Sequence, residues 1–213
     1  GYLGVDMFFV ISGYVITRGI RRDLVEGRFQ LSHFYMRRVR RIFPAAILVL
    51  SVTLIFGAIS LYPDEYRRLG IHATAAAGFF ANGIFWSEIG YFDAAAQSKH
   101  LFHFWSLAIE EQFYLVWPVM AVLLWRHSSS PVCVTWGIAL ISFILYFWSL
   151  YWDPGTAFYG PHCRFWELAV GCALAFSASS TSEAGVSMIR GSGWQSELLA
   201  FVGMAILVTS FWS

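Results

Sequence analysis

Seven apolar runs, near residues 3–20, 42–62, 70–87, 101–125, 132–152, 162–178 and 196–212, each approach the roughly 20 residues an α-helix needs to cross hydrocarbon. In lipid an open backbone N–H or C=O has no water to bond, so such runs fold as helices that close their own hydrogen bonds. Only 13% of the residues are charged and 58% are hydrophobic. Ordinary soluble domains carry roughly 25% charged residues, so a soluble enzyme is excluded, and this apolar content excludes disorder as well. The expected fold is all-α, a polytopic membrane helix bundle of about seven transmembrane segments. The run at 70–87 is ambiguous. It is rich in Ala and Gly and interrupted by Asn82, and reads either as a full span or as a re-entrant, partly buried one.

Charge is scarce, so its placement carries the topology. Eight of the fourteen basic residues, all arginines, lie between Arg18 and Arg41, against Asp23 and Glu26, a local net charge of +6. Basic residues flanking a span stay in the cytoplasm, so 18–41 reads as a cytoplasmic basic loop. The first span then runs inward and the second outward, which places the turn from Tyr62 to Arg68 outside, where Asp64 and Glu65 offset Arg67 and Arg68. Tyr62, Trp86, Trp125, Trp152 and Trp212, near segment ends, fit an interfacial aromatic belt. The Ser/Ala/Thr-rich stretch from Ser177 to Ser182 reads as a connector. A net charge of +1 points to no polyanionic partner, nucleic acid included. Cys133, Cys163 and Cys172 are odd in number and lack C-x-x-C spacing, so they read as packing residues. His100-x-x-His103 has no third ligand, and no metal site is expected.

The run at 101–125 is the most informative, because His103, Glu110, Glu111 and Gln112 interrupt it. A carboxylate at mid-membrane costs about 2.5–3.5 kcal/mol on insertion scales, so something must compensate. On a helix, with His103 as zero, Glu110 falls at about −20°, Tyr114 about +20°, Ser106 about −60° and Trp117 about −40°. Glu111 lies on the margin of this polar stripe and Gln112 points the opposite way, toward a neighbouring helix. His103 and Glu110 are about 10 Å apart along the axis, too far to bond and suited to flank a substrate. Such a stripe either braces adjacent helices or handles a substrate, and within lipid the functional reading takes precedence. Arg38 and Arg41 share a helix face at the membrane edge before Pro44. Their guanidinium forks suit a phosphorylated ligand, although juxtamembrane arginines also set topology or meet headgroups. Arg164 and Glu167 form an i, i+3 pair that reads as a stabilising ion pair. Asp6 and Ser12 interrupt the first run, and no base adjoins Ser12 to mark it as a nucleophile.

Three stretches, Gly4-Val-Asp-Met-Phe-Phe-Val-Ile-Ser-Gly13-Tyr, Phe34-Tyr-Met-Arg-Arg-Val-Arg-Arg-Ile-Phe-Pro44 and His103-Phe-Trp-Ser-Leu-Ala-Ile-Glu-Glu-Gln-Phe-Tyr114 with Trp117-Pro118, resemble the acyltransferase-3 family of integral membrane O-acyltransferases. Arg164-Phe-Trp-Glu-Leu-Ala-Val-Gly171 resembles a fourth, and the likeness covers essentially the whole chain, 1–213. The resemblance implies a multi-pass protein of the bacterial inner membrane with about ten spans. It implies transfer of an acyl group, usually acetyl, from acetyl-CoA or another acyl-CoA to a cell-envelope carbohydrate hydroxyl, with no bound cofactor. It maps the Arg-x-x-Arg of the family onto Arg38 and Arg41 as donor contacts. It also implies an upstream span bearing an Arg and a catalytic His, and further spans after residue 213, so the chain is expected to be a piece of a longer protein. Some relatives add an SGNH-type hydrolase domain.

The expected catalytic residues are His103, Glu110 and Glu111. The expected substrate contacts are Arg38, Arg41, Ser106, Tyr114, Arg164 and Glu167. Acyl-CoA is expected to enter from the cytoplasm while a base deprotonates the sugar hydroxyl and a donor faces the oxyanion. The rival readings are a transporter or flippase coupled through the same carboxylates and a structural or sensory subunit.

Overall fold

The computed structural model describes residues 2–89 and 101–178, which contain eight helices and no strand. They are α1 (Tyr2–Val25), α2 (Leu31–Ser60), α3 (Pro63–Ala77), α4 (Ala81–Ser87), α5 (Phe104–His127), α6 (Pro131–Trp152), α7 (Pro154–Tyr159) and α8 (Pro161–Ser177). Proline opens α3, α6, α7 and α8, where the first-turn N–H it lacks would have no partner in any case. Asp153 caps α7 by accepting from the Gly155 backbone N–H at 3.1 Å and from the Thr156 hydroxyl, and the Thr156 bond holds its carboxyl below the usual range.

Three helices, α2, α5 and α6, are long and apolar enough to cross a membrane. The other helices differ from these three in length or charge. α1 carries Arg18, Arg21, Arg22 and Asp23 in its second half, and α8 is 17 residues long. The stretch 18–41 is not a loop, because α1 and α2 both continue into it and only 26–30 connect them. Asp23, buried at this junction, faces Arg22 at 3.7 Å, Arg28 at 3.3 Å and Arg37 at 3.4 Å, so part of the positive charge is neutralised locally. The turn at 62–68 reduces to Leu61 and Tyr62, after which α3 starts with the Tyr62 N–H donating to the Glu65 carboxylate at 3.2 Å. The run at 70–87 breaks at 78–80 into α3 and α4. The seventh run, His100 and most of the 177–182 connector lie outside the described residues.

Contacts fix the relative directions. Phe9 meets Trp105, Ser12 meets Glu110 and Thr17 meets Trp117, so α1 and α5 run parallel. Asp6 with Arg164 and Gly13 with Cys172 make α8 parallel to both. Tyr35 with Leu115 and Arg38 with Glu111 make α2 antiparallel to α5. The ends of α1 and α5 bearing Arg22 and Arg126 therefore share one side of the bundle.

In lipid, helices associate through close packing and polar ties. At the α1–α8 contact a Cβ on Gly13 would lie 2.0 Å from the Leu168 carbonyl oxygen, and one on Gly171 would lie 2.0 Å from that of Val10. Phe9, Ile16 and Ile20 of α1 pack there with Leu168, Cys172 and Phe176 of α8 and with Phe113 and Trp117 of α5. The Trp117 indole N–H donates to the Thr17 hydroxyl at 2.8 Å.

The break at 78–80 is held from α5. Gln112 donates to the Phe79 carbonyl and to the Asn82 side-chain oxygen, both at 2.9 Å, and Asn82 donates to the Tyr159 carbonyl at 3.1 Å. This is the neighbouring-helix bond expected of Gln112. Gln112→Leu strips both acceptors of their donor and is expected to destabilise the protein by about 1–3 kcal/mol, read as a lower melting temperature in detergent. An unchanged melting temperature would show that the break is held by other contacts.

Candidate active site

Glu110 and Glu111 project from α5 less than two turns from its start. The Ser12 hydroxyl of α1 donates to Glu110 Oε1 at 2.6 Å, and the Tyr114 hydroxyl, one turn further along α5, donates to the same oxygen. Arg38 reaches in from α2. Its Nη2 stands 3.9 Å from Glu110 Oε1 and 3.6 Å from Glu111 Oε1, and its guanidinium carbon lies 3.4 Å from the Tyr114 ring centroid. Stacking on the ring fixes the guanidinium plane, and facing two carboxylates offsets its burial.

The two carboxylates are therefore unequal. Glu110, 5% exposed, spends one oxygen on two hydroxyl donors and acts as an anchor for Tyr114. Glu111 Oε1 is buried without a hydrogen-bond partner, the 3.6 Å contact to Arg38 being too long for one. Arg38 Nε is likewise buried and unpartnered. An acceptor and a donor without partners thus belong to two side chains that approach within 3.6 Å. Both residues line a cavity of about 250 Å³ with Gln112 and Tyr114 at its polar end and Tyr35, Val39, Ile42, Phe43, Phe79 and Leu115 as apolar walls.

Of the residues singled out by sequence, Arg38, Glu110, Glu111 and Tyr114 come together. His103 does not. It is exposed at the N-cap of α5, outside the helix that the run at 101–125 was expected to form as a whole, and its carbonyl accepts from the Ser106 hydroxyl at 3.2 Å. His103 and Ser106 thus pair at the helix start, away from the cavity lining. Arg41 is exposed on α2. Arg164 and Glu167 form a separate buried cluster, the Arg164 guanidinium lying 2.7 Å from Glu167 and 3.0 Å from Asp6. Phe158, Tyr146 and Trp105 surround that guanidinium at 5.3, 5.7 and 5.8 Å. Ser12, which has no adjacent base in the sequence to mark it as a nucleophile, joins the site through Glu110, a partner that lies 98 positions away and leaves no local signal. No group of three potential metal ligands occurs among the described residues.

All four recognisable stretches meet in this region: the first through Ser12 and Gly13, the second through Arg38, the third through Glu110 to Trp117, the fourth through Leu168 and Gly171. A family model described as an acyltransferase domain matches residues 1–212. The chain belongs to the acyltransferase-3 family. Among curated proteins this member is 35% identical over 186 residues to the peptidoglycan O-acetyltransferase OatA of Listeria monocytogenes, covering 83% of this chain and 29% of that protein. A Haemophilus influenzae protein is 35% identical over 181 residues, covering 80% and 73%. The putative peptidoglycan O-acetyltransferase YrhL of Bacillus subtilis is 32% identical over 189 residues, covering 82% and 28%. The chain thus spans under a third of the two relatives with named activities. No solved structure matches. Family membership and the three membrane-length helices together mark a membrane protein.

Proposed function

We propose that the complete protein is an O-acyltransferase of the bacterial inner membrane that moves an acyl group, acetyl in the simplest case, from acyl-CoA to a cell-envelope carbohydrate hydroxyl. Two of the relatives are named for O-acetylation of peptidoglycan, which supports a glycan acceptor. The observation that carries the reading is the pair of buried, unpartnered atoms, Arg38 Nε and Glu111 Oε1, on two residues that line the cavity. A hydroxyl satisfies both at once, accepting from Arg38 and donating to Glu111. Glu111 then takes the hydroxyl proton as the oxygen attacks the acyl carbon. The Arg38 guanidinium faces the oxyanion, and collapse breaks the carbon–sulfur bond, the departing thiolate recovering the proton from Glu111. Tyr114 and Glu110 hold the guanidinium plane, with Ser12 orienting Glu110. Apolar walls suit a short acyl chain and exclude water that would hydrolyse the thioester.

The test is the complete protein in proteoliposomes with acetyl-labelled acetyl-CoA. Labelled glycan with an equal release of CoA thiol is expected, and Arg38→Lys, which keeps the charge and loses the planar fork, is expected to slow transfer by about 10²-fold. Movement of glycan across the bilayer with the thioester intact would replace this reading with a translocator.

A further inference from the structure

We propose that the last two turns of α1 carry a second site, which binds a phosphate ester through Arg18, Arg21 and Arg22. A groove of about 610 Å³ runs along this face, with Tyr14, Val15 and Val25 as its apolar sides and the Glu26 carboxylate also on its lining. Arg18 and Arg22 are one turn apart and project from the same side of the helix. Arg21 Nε is buried without a hydrogen-bond partner, so a planar fork beside them has an unused donor.

The local acids do not neutralise this group. Asp23 is shared among Arg22, Arg28 and Arg37, and Glu26 is held by Arg28 at 2.5 Å. Arg18 has no carboxylate within ion-pair distance among the described residues. Of the two residues that sequence pattern offers to a phosphate, Arg38 is turned inward onto Glu110, Glu111 and Tyr114, while Arg41 is exposed on α2. The excess positive charge at this end of the bundle therefore lies on α1 and, through the exposed Arg40 and Arg41, on the start of α2. It lies on the side shared with Arg126 and His127, and Arg18 and Arg22 are about 9 and 15 Å along the helix axis from Ser12. A ligand anchored there by its phosphate has an extended arm's length to cover before its far end reaches the level of Glu110.

Two sources offer this chemistry: the phosphates of a soluble nucleotide thioester such as coenzyme A, or the headgroup of an anionic lipid. The first rests on the acyl-transfer reading and the second does not. Binding is read without turnover, so a protein that transfers no acyl group still tests this site.

The complete protein in phosphatidylcholine nanodiscs is titrated with free coenzyme A. Arg18→Gln/Arg22→Gln is expected to weaken binding by about tenfold for each guanidinium removed and to flatten its salt dependence, with Lys at both positions recovering part of the loss. In the second arm the same proteins are melted in phosphatidylcholine and in phosphatidylglycerol nanodiscs. If the ligand is a headgroup, the wild type melts higher in the anionic lipid and the double variant does not, while coenzyme A binding is unchanged. Arg18→Gln alone, an exposed position, is read in both arms should the double variant fold poorly. A response in either arm supports the site and names its source. Wild-type behaviour in both arms overturns it.

Discussion

Glu111→Gln in the complete protein is expected to cut acyl transfer by about 10²–10⁴-fold while leaving the melting temperature near that of the wild type. The amide fills the same volume and still meets Arg38, but it cannot accept a hydroxyl proton. Glu110→Gln is expected to differ in kind. Its oxygen holds the Ser12 and Tyr114 hydroxyls, and its charge faces Arg38 across 3.9 Å, so the neutral variant loosens the anchor and lowers stability along with rate. Turnover and thermal melting, measured on both variants, separate the two roles. A Glu111→Gln protein that acylates its glycan at the wild-type rate would remove this carboxylate from the chemistry.

Gly171→Ala is expected to cost the bundle its α1–α8 contact. The added methyl would lie 2.0 Å from the Val10 carbonyl oxygen and 2.7 Å from the Tyr14 nitrogen. Both atoms are backbone and cannot swing aside. Overpacking that side chains can absorb costs about 1–3 kcal/mol, and a clash between two helix backbones lies at or beyond the upper end of that range. Gly13→Ala meets the Leu168 backbone in the same way. Either change should shrink the monodisperse fraction recovered in detergent and lower its melting temperature. Gly137→Ala on α6, where a Cβ meets nothing within 4 Å, serves as the control and should melt at or slightly above the wild type. A Gly171→Ala protein that melts with the control would mean that α1 and α8 separate at little cost.

Hydropathy was enough to identify a helical membrane bundle, because apolar runs this long have one way to satisfy their backbones in lipid. Among the described helices, three are by themselves long and apolar enough to cross a membrane. Segments such as α8 and the broken α3–α4 pair cover their backbones against other helices, and a sliding average over residue types does not distinguish a helix wrapped in protein from one wrapped in lipid. The carboxylates of α5 stood out because ionisable groups are costly there. Their inequality did not, since it depends on Ser12 and Arg38 arriving from helices far away in sequence. Helical angles placed His103 on the same stripe as Glu110 on the assumption of an unbroken helix from 101, whereas α5 starts at Phe104 and leaves His103 exposed as its N-cap. Gly13 and Gly171 were visible only as letters of recognisable motifs. Their purpose, letting two backbones touch, appears once the helices are paired.

The residue beside the proposed proton acceptor is also the clasp on the α3–α4 corner. Glu111 and Gln112 are consecutive on α5 and both line the cavity, and Gln112 also grips Phe79, another of its lining residues. A guest that draws Glu111 toward itself therefore tugs on that corner through a single peptide unit. The chamber and its far side are geared together, so filling one is felt by the other with no moving part between them.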